Sequence, residues 1–136
     1  MTTAKATIHA ALVADSAYLA LLGSPAAAPY RTYYGEPPRT PVFPMVVFAF
    51  GSRMTDGEVS RDLLSRQTSV RFTAWTEDET YEDIILRIIQ IWHQKAGADG
   101  IWLSLEDEGE ERFDEEVGAR GLMATFTMLT ARGILS

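Results

Sequence analysis

At 136 residues the chain suffices for one domain, spanning 1–136, and leaves no room for a second core of ordinary size. The absence of cysteine removes disulfides, thiol nucleophiles and cysteine-ligated zinc, and a net charge of −7 has the wrong sign for a surface built to grip nucleic-acid phosphates. Hydrophobic residues at 46% and charged residues at 23% are ordinary globular values, the N-terminus lacks the apolar core of a signal peptide, and no apolar run is long enough to span a bilayer.

From Thr3 to Leu22, the residues Ile8, Leu12, Leu19 and Leu22 recur at helical spacing among alanines. Gly23 followed by Pro25 is a stop signal, so the pattern predicts one amphipathic helix. Ser24 to Pro29 reads as a loop, and Tyr30 to Tyr34 as a short strand ending at Gly35. The segment Glu36-Pro37-Pro38-Arg39-Thr40-Pro41 holds three prolines, which lack backbone donors, and is predicted to cross in extended form. Phe43 to Gly51, with Val46, Val47, Phe48 and Phe50, reads as a strand. A polar loop with an Asp56-Gly57 hairpin signal joins it to a second strand from about Leu64 to Thr76. There Val70, Phe72 and Ala74 alternate with Ser69, Arg71 and Thr73, as in an antiparallel strand with one buried face.

Thr76-Glu77-Asp78-Glu79 has the spacing of a capping box at a helix start. The helix it predicts runs to about Ala96, with Ile84, Ile85, Ile88, Ile89, Ile91 and Trp92 on one arc and Asp83, Arg87, Gln90 and Gln94 opposite. Ile101 to Leu105 reads as a short strand and Gly121 to Ala131 as the last one. Between them lies an acidic loop at about 106–118. Residues 106 to 116 hold eight of the chain's 19 acidic residues and one of its 12 basic ones, so the rest of the chain carries 11 of each. The charge is therefore local, on an otherwise balanced domain. The order of elements predicts an α+β fold: a mainly antiparallel sheet packed against two helices, the N-terminal one and the long central one.

No chemistry-bearing motif stands out. His9 and His93 fall on different helices, and His93, beside Trp92, reads as a semi-buried structural residue. Dinucleotide, phosphate-loop, serine-hydrolase and zinc-protease motifs are missing, and Asp107-Glu108-Gly109-Glu110 lacks the alternating ligands of a calcium loop. We therefore expect no enzyme, no cofactor and no metal site. Trp75, Trp92 and Trp102 are expected in the core with Phe72 and Phe126. Tyr30, Tyr33 and Tyr34 suit either packing or a subunit interface.

The landmarks, in order, are Leu21-Leu22-Gly23, Tyr34-Gly35 followed by Pro37-Pro38, Pro44 with Met45-Val46-Val47-Phe48, and Phe72-Thr73-Ala74-Trp75-Thr76 leading into a long helix. In this order the chain resembles the tail-completion, or head-to-tail joining, proteins of long-tailed bacteriophages and gene transfer agents. The resemblance extends to about Ala96 and more loosely through the last strands. It implies a small structural virion protein, made in the bacterial host cytoplasm, of which six copies close a ring at the head-proximal end of the tail tube. Such a ring stops tube growth and joins the head connector. Its partners would be itself, the tail tube protein and a head-completion or connector protein, with DNA passing through without specific binding and no membrane involved.

A ring needs two different complementary patches per subunit. Tyr33, Tyr34, Pro37, Pro38, Arg39, Phe43 and Val47 are the candidate interface residues, Phe43 to Gly51 being a strand suited to pairing across subunits. Glu106, Asp107, Glu108, Glu110, Glu111, Asp114, Glu115 and Glu116 form the candidate lumen-facing loop, where like charge would keep phosphates from sticking. Three readings compete with tail completion: a head-completion or other neck adaptor protein, an acidic mimic of DNA that inhibits a DNA-binding enzyme, and a small enzyme or ligand-binding module using a cleft between helix and sheet, against which the missing His, Cys and Gly-rich constellations count.

Overall fold

The computed structural model describes residues 4–23, 31–39, 42–53, 65–95, 101–114 and 119–131. Their elements, in chain order, are helices α1 (Ala4–Val13) and α2 (Ser16–Leu22), strands β1 (Thr32–Tyr34), β2 (Met45–Arg53) and β3 (Ser65–Thr76), helix α3 (Tyr81–Lys95), and strands β4 (Ile101–Asp114) and β5 (Ala119–Ala131). The five strands form one sheet in the order β1-β2-β3-β5-β4. Only β1 and β2 are parallel; the β2–β3, β3–β5 and β5–β4 pairs are antiparallel. The expected α+β architecture is present, with three helices among the described residues where two were predicted. The Asp56-Gly57 hairpin signal and the predicted end of the central helix at about Ala96 lie outside the described residues.

The extra helix comes from a break at Asp15. In α1 the buried residues Ala4, Thr7, Ile8, Ala11 and Leu12 follow a helical stripe, and a second stripe begins with Tyr18, Leu19 and Leu22 of α2. Asp15 sits between them in extended conformation (φ −93°, ψ 115°), and its carboxylate accepts from the Tyr18 backbone N–H at 2.8 Å. A short acceptor side chain satisfies an otherwise orphaned amide of the new helix, so it competes with helix continuation. Gly23 ends α2 in the left-handed region, at φ 66°, as the stop signal requires.

The predicted capping box does not form. Thr76 ends β3, and its hydroxyl donates to the Asp78 carbonyl at 2.6 Å. Asp78 instead organises the turn: its carboxylate accepts from the backbone N–H and hydroxyl of Thr80 at 2.9 and 2.7 Å. Helix α3 begins only at Tyr81. The strand thus claims Thr76 through its pairing with Arg120, and capping chemistry passes to the next acceptor in the chain.

The core lies between the helices and one face of the sheet. Tyr81, Ile84, Ile85, Ile88, Ile91 and Trp92 of α3 are buried, as are Val46 and Phe48 of β2, Val70, Phe72 and Ala74 of β3, and Leu122, Ala124, Phe126 and Met128 of β5. Aromatic rings cross the sheet in a line: Phe48 stacks on Phe72 at 5.7 Å between centroids, and Phe72 meets Phe126 edge-on at 5.4 Å. Burying each such ring contributes roughly 1.5–3 kcal/mol.

The opposite face follows a different rule. Here Trp75 is half-buried, outside the core assigned to it, and its ring takes the space above Gly121, its pairing partner. A Cβ at position 121 would lie 2.9 Å from that ring, so only glycine fits. Trp102 is also outside the core, 41% exposed on edge strand β4. Of the three tryptophans, only Trp92 packs with the core cluster.

Candidate assembly interface

The first sheet edge is built on β1. Its parallel pairing, Thr32 with Val46 to Tyr34 with Phe48, obliges residues 35–44 to carry the chain back to the start of β2. Gly35 opens that return at φ 84°, a conformation open to glycine, and its N–H donates to the Phe48 carbonyl at 2.8 Å. Three sets of side-chain contacts hold this short edge in place. Tyr18 and Thr32 share a buried hydroxyl–hydroxyl hydrogen bond of 2.8 Å, and burial pushes the Tyr18 phenol far above its ordinary range. Arg31 Nη1 donates to the Leu22 carbonyl at 2.8 Å, meeting the negative end of α2, and to the Phe43 carbonyl at 3.4 Å. Lys5 Nζ lies 4.9 Å from the centre of the Tyr34 ring, and that ring also touches Phe48 and Phe50.

The candidate interface residues divide accordingly. Tyr34, Pro37 and Arg39 are exposed, and Tyr33, Pro38 and Phe43 are half-buried, all along this edge and its return segment. Val47 does not belong with them. It is 9% exposed and paired on both sides, with Tyr33 and with Thr73, so its strand is interior to the sheet over Val46–Phe48 and offers no free edge there. The apolar content of this segment reflects burial between strands, which the sequence reading took for an exposed pairing edge.

The other edge corrects the acidic loop. Residues 101–114 form one 14-residue strand whose pairs with β5 run from Ile101–Thr130 to Asp114–Ala119. The acidic run is strand through Asp114, and Glu115 and Glu116, with the rest of 115–118, lie outside the described residues. Asp and Glu are poor strand formers by themselves. Here a long, apolar β5 supplies the ladder, and the charges stand on the outermost strand, where water solvates them and edge-to-edge aggregation is discouraged. Two register shifts, at Leu105/Asp107 and Glu108/Glu110, each accommodate one extra residue, and Gly109 takes φ 104° in the second. Glu106, Asp107 and Glu111 are exposed; Glu108, Glu110 and Asp114 are placed on the strand by register. Trp102 and Leu105, each 41% exposed, and Phe113, 60% exposed, are interspersed with them.

The edges are joined through the helices by a contact that sequence reading missed. Arg87 of α3, expected on the solvent side, forks onto Asp15: Nη2 to Oδ2 is 2.6 Å and Nε to Oδ1 is 3.1 Å. The guanidinium's hydrogen bonds hold the Asp15 carboxyl below its ordinary range. An acid at a helix break facing an arginine 72 residues away has no signature in one sequence. Among the described residues no group of three or more His, Cys, Asp or Glu side chains is placed to hold a metal ion. His93 is exposed on α3, where a semi-buried position was expected, and His9 is half-buried on α1. No helix among the described residues is long and apolar enough to cross a membrane.

No protein-family model matches the sequence, and no curated protein matches it. The fold does match a solved structure. It is similar to a chain in the virion of a native gene transfer agent particle, with a TM-score of 0.62 at 15% sequence identity, covering 95% of each chain. At that identity the similarity speaks for the fold.

Proposed function

We propose that this chain is a structural subunit of a tailed virion or gene transfer particle, which closes the head-proximal end of the tail tube as a six-membered ring and joins it to the head connector. The observation that carries this reading is the fold match to a gene transfer agent virion chain over 95% of both chains, with no insertion large enough to add a second domain. The landmark residues from Leu21 to Thr76 support it from the sequence side. The two sheet edges supply what a ring subunit needs: two different surfaces, on opposite sides of one sheet.

In this reading the subunit acts through surfaces and makes no bonds. The acidic residues of β4 that the joints between copies leave uncovered face, in this reading, the ring's DNA passage. Six copies of a strand rich in Glu and Asp along a channel would repel phosphates and let DNA slide. The partners are further copies, the tail tube protein below and the connector above.

Deleting the gene from its particle and imaging the products tests the proposal. Tails of uncontrolled length, or tails detached from filled heads, are expected. Particles with tails of normal length correctly joined to filled heads would overturn it. A ring seen in place with residues 106–114 on its outer rim would remove the channel role for β4 and leave the joining role intact.

A further inference from the structure

The two edges of the sheet carry opposite charge. Along β4, Glu106, Asp107 and Glu111 are exposed and Glu108, Glu110 and Asp114 share the strand, against the single cation Arg112. At the other edge stand Lys5 over Tyr34, Arg31 just before β1, and exposed Arg39 in the return segment, against the single acid Glu36 among residues 31–39. Exposed apolar side chains accompany both sets: Tyr34 at 43% and Val42 at 49% on the basic side, Trp102, Leu105 and Phe113 on the acidic side. Among the described residues no strand pairs with the outer side of β4, and β1 covers β2 only from Val46 to Phe48.

From this we infer that copies of the chain associate head to tail, the acidic β4 edge of one copy lying against the basic, aromatic β1 edge of the next. The inference rests on the ring reading above and names the joint that makes the ring. Pairing of two β4 edges with each other is disfavoured where it sets the acids within residues 106–114 of the two copies side by side. The complementary edge is available on every copy. Because the edges lie at opposite ends of one sheet, each copy engages two neighbours at once through different surfaces, the arrangement that closes rings. Charge selects the pairing, and the exposed aromatic and aliphatic side chains are what the contact buries.

A charge swap on the full chain tests this. One variant reverses the acidic edge (Glu106→Lys, Asp107→Lys, Glu111→Lys); another reverses the basic edge (Lys5→Glu, Arg39→Glu). Self-association is followed by analytical ultracentrifugation across a concentration series, with thermal unfolding to verify that both variants fold. Each variant alone should associate at least about tenfold more weakly than the native chain. An equimolar mixture of the two should recover native association, since every joint in an alternating assembly again pairs opposite charges. Raising salt from about 50 to about 500 mM should weaken the native assembly and, by screening the like charges set together at their joints, should strengthen the single variants. If a lysine variant fails to fold, the neutral triple variant (Glu106→Gln, Asp107→Asn, Glu111→Gln) replaces it and should show a smaller weakening in the same direction.

Variants that associate like the native chain, or a mixture that shows no recovery, overturn the joint. So does a native chain that stays monomeric up to its solubility limit at low salt. None of these outcomes bears on tail length in the deletion particles, so the functional reading stands or falls separately.

Discussion

The two edges of this sheet are held by opposite means. The β1 edge is three residues long, too short for its ladder to fix it, and depends on side chains reaching from elsewhere: Tyr18 to Thr32, Arg31 to the end of α2, Lys5 to Tyr34. The β4 edge is 14 residues long and is fixed by backbone pairing with β5, while its acidic side chains Glu106, Asp107 and Glu111 are exposed. Specific polar ties can thus place a short edge where pairing cannot, and a long ladder can carry side chains chosen for reasons other than stability. Substitutions at the first edge should therefore cost stability locally, and substitutions at the second should cost little.

The largest effect should come from what both edges lean on. Phe72→Ala removes the middle ring of the line joining Phe48 to Phe126, and we expect a loss of about 3–5 kcal/mol by denaturant unfolding, with both edges affected together. Tyr18→Phe leaves the buried Thr32 hydroxyl unpaired and should cost about 1–2 kcal/mol. Hydrogen exchange should then quicken in Thr32–Tyr34 and stay unchanged in Ile101–Leu105; equal quickening at both edges would break the comparison.

Asp15→Ala, which removes the cap of α2 and the Arg87 partner together, should cost about 1 kcal/mol at neutral pH from the cap alone. Its pH dependence has a definite sign. The folded carboxyl titrates below its ordinary value of 3.8, so its contribution is present above that value and is lost as pH falls through the lower, folded pKa. The stability gap between native chain and variant should narrow on acidification below about pH 4, measured by denaturant unfolding at each pH. The smallest effect belongs to the acidic edge. Neutralising Glu106, Asp107 and Glu111 should change stability of the monomer by no more than about 0.5 kcal/mol, and a drop well beyond that would show that β4 is held by its charges after all.

Much of the fold was readable in advance because burial writes a periodic pattern. Val70, Phe72 and Ala74, or Ile84, Ile85, Ile88 and Ile91, announce a face, and each of these residues is buried. What escaped was decided between distant parts of the chain or by competition for one residue. Asp15 breaks a run of alanines because its carboxylate caps α2 and meets Arg87, neither of which the helical spacing reveals. The acidic run extends as strand because β5 offers it a ladder, which overrides the loop-like composition. Of the candidate site, exposed Tyr34, Pro37 and Arg39 keep an edge position, Val47 is lost to the interior, and the acidic residues described stand along a sheet edge where a loop was expected.

The two extra residues in β4 have an arithmetic consequence. A strand sends successive side chains to alternate faces, so one inserted residue reverses the assignment of everything after it. Two insertions restore it. Ile101 and Phe113 therefore share register with the even-numbered residues Thr130 and Arg120 of β5, and only the short stretch between the shifts is inverted: Asp107 aligns with Thr125, where unbroken alternation would have set it opposite an even-numbered residue. The paired shifts thus change the alignment only of the residues between them and return Glu111–Asp114 to the phase of Ile101–Leu105, so the far end of a long edge strand keeps the face assignment of its start.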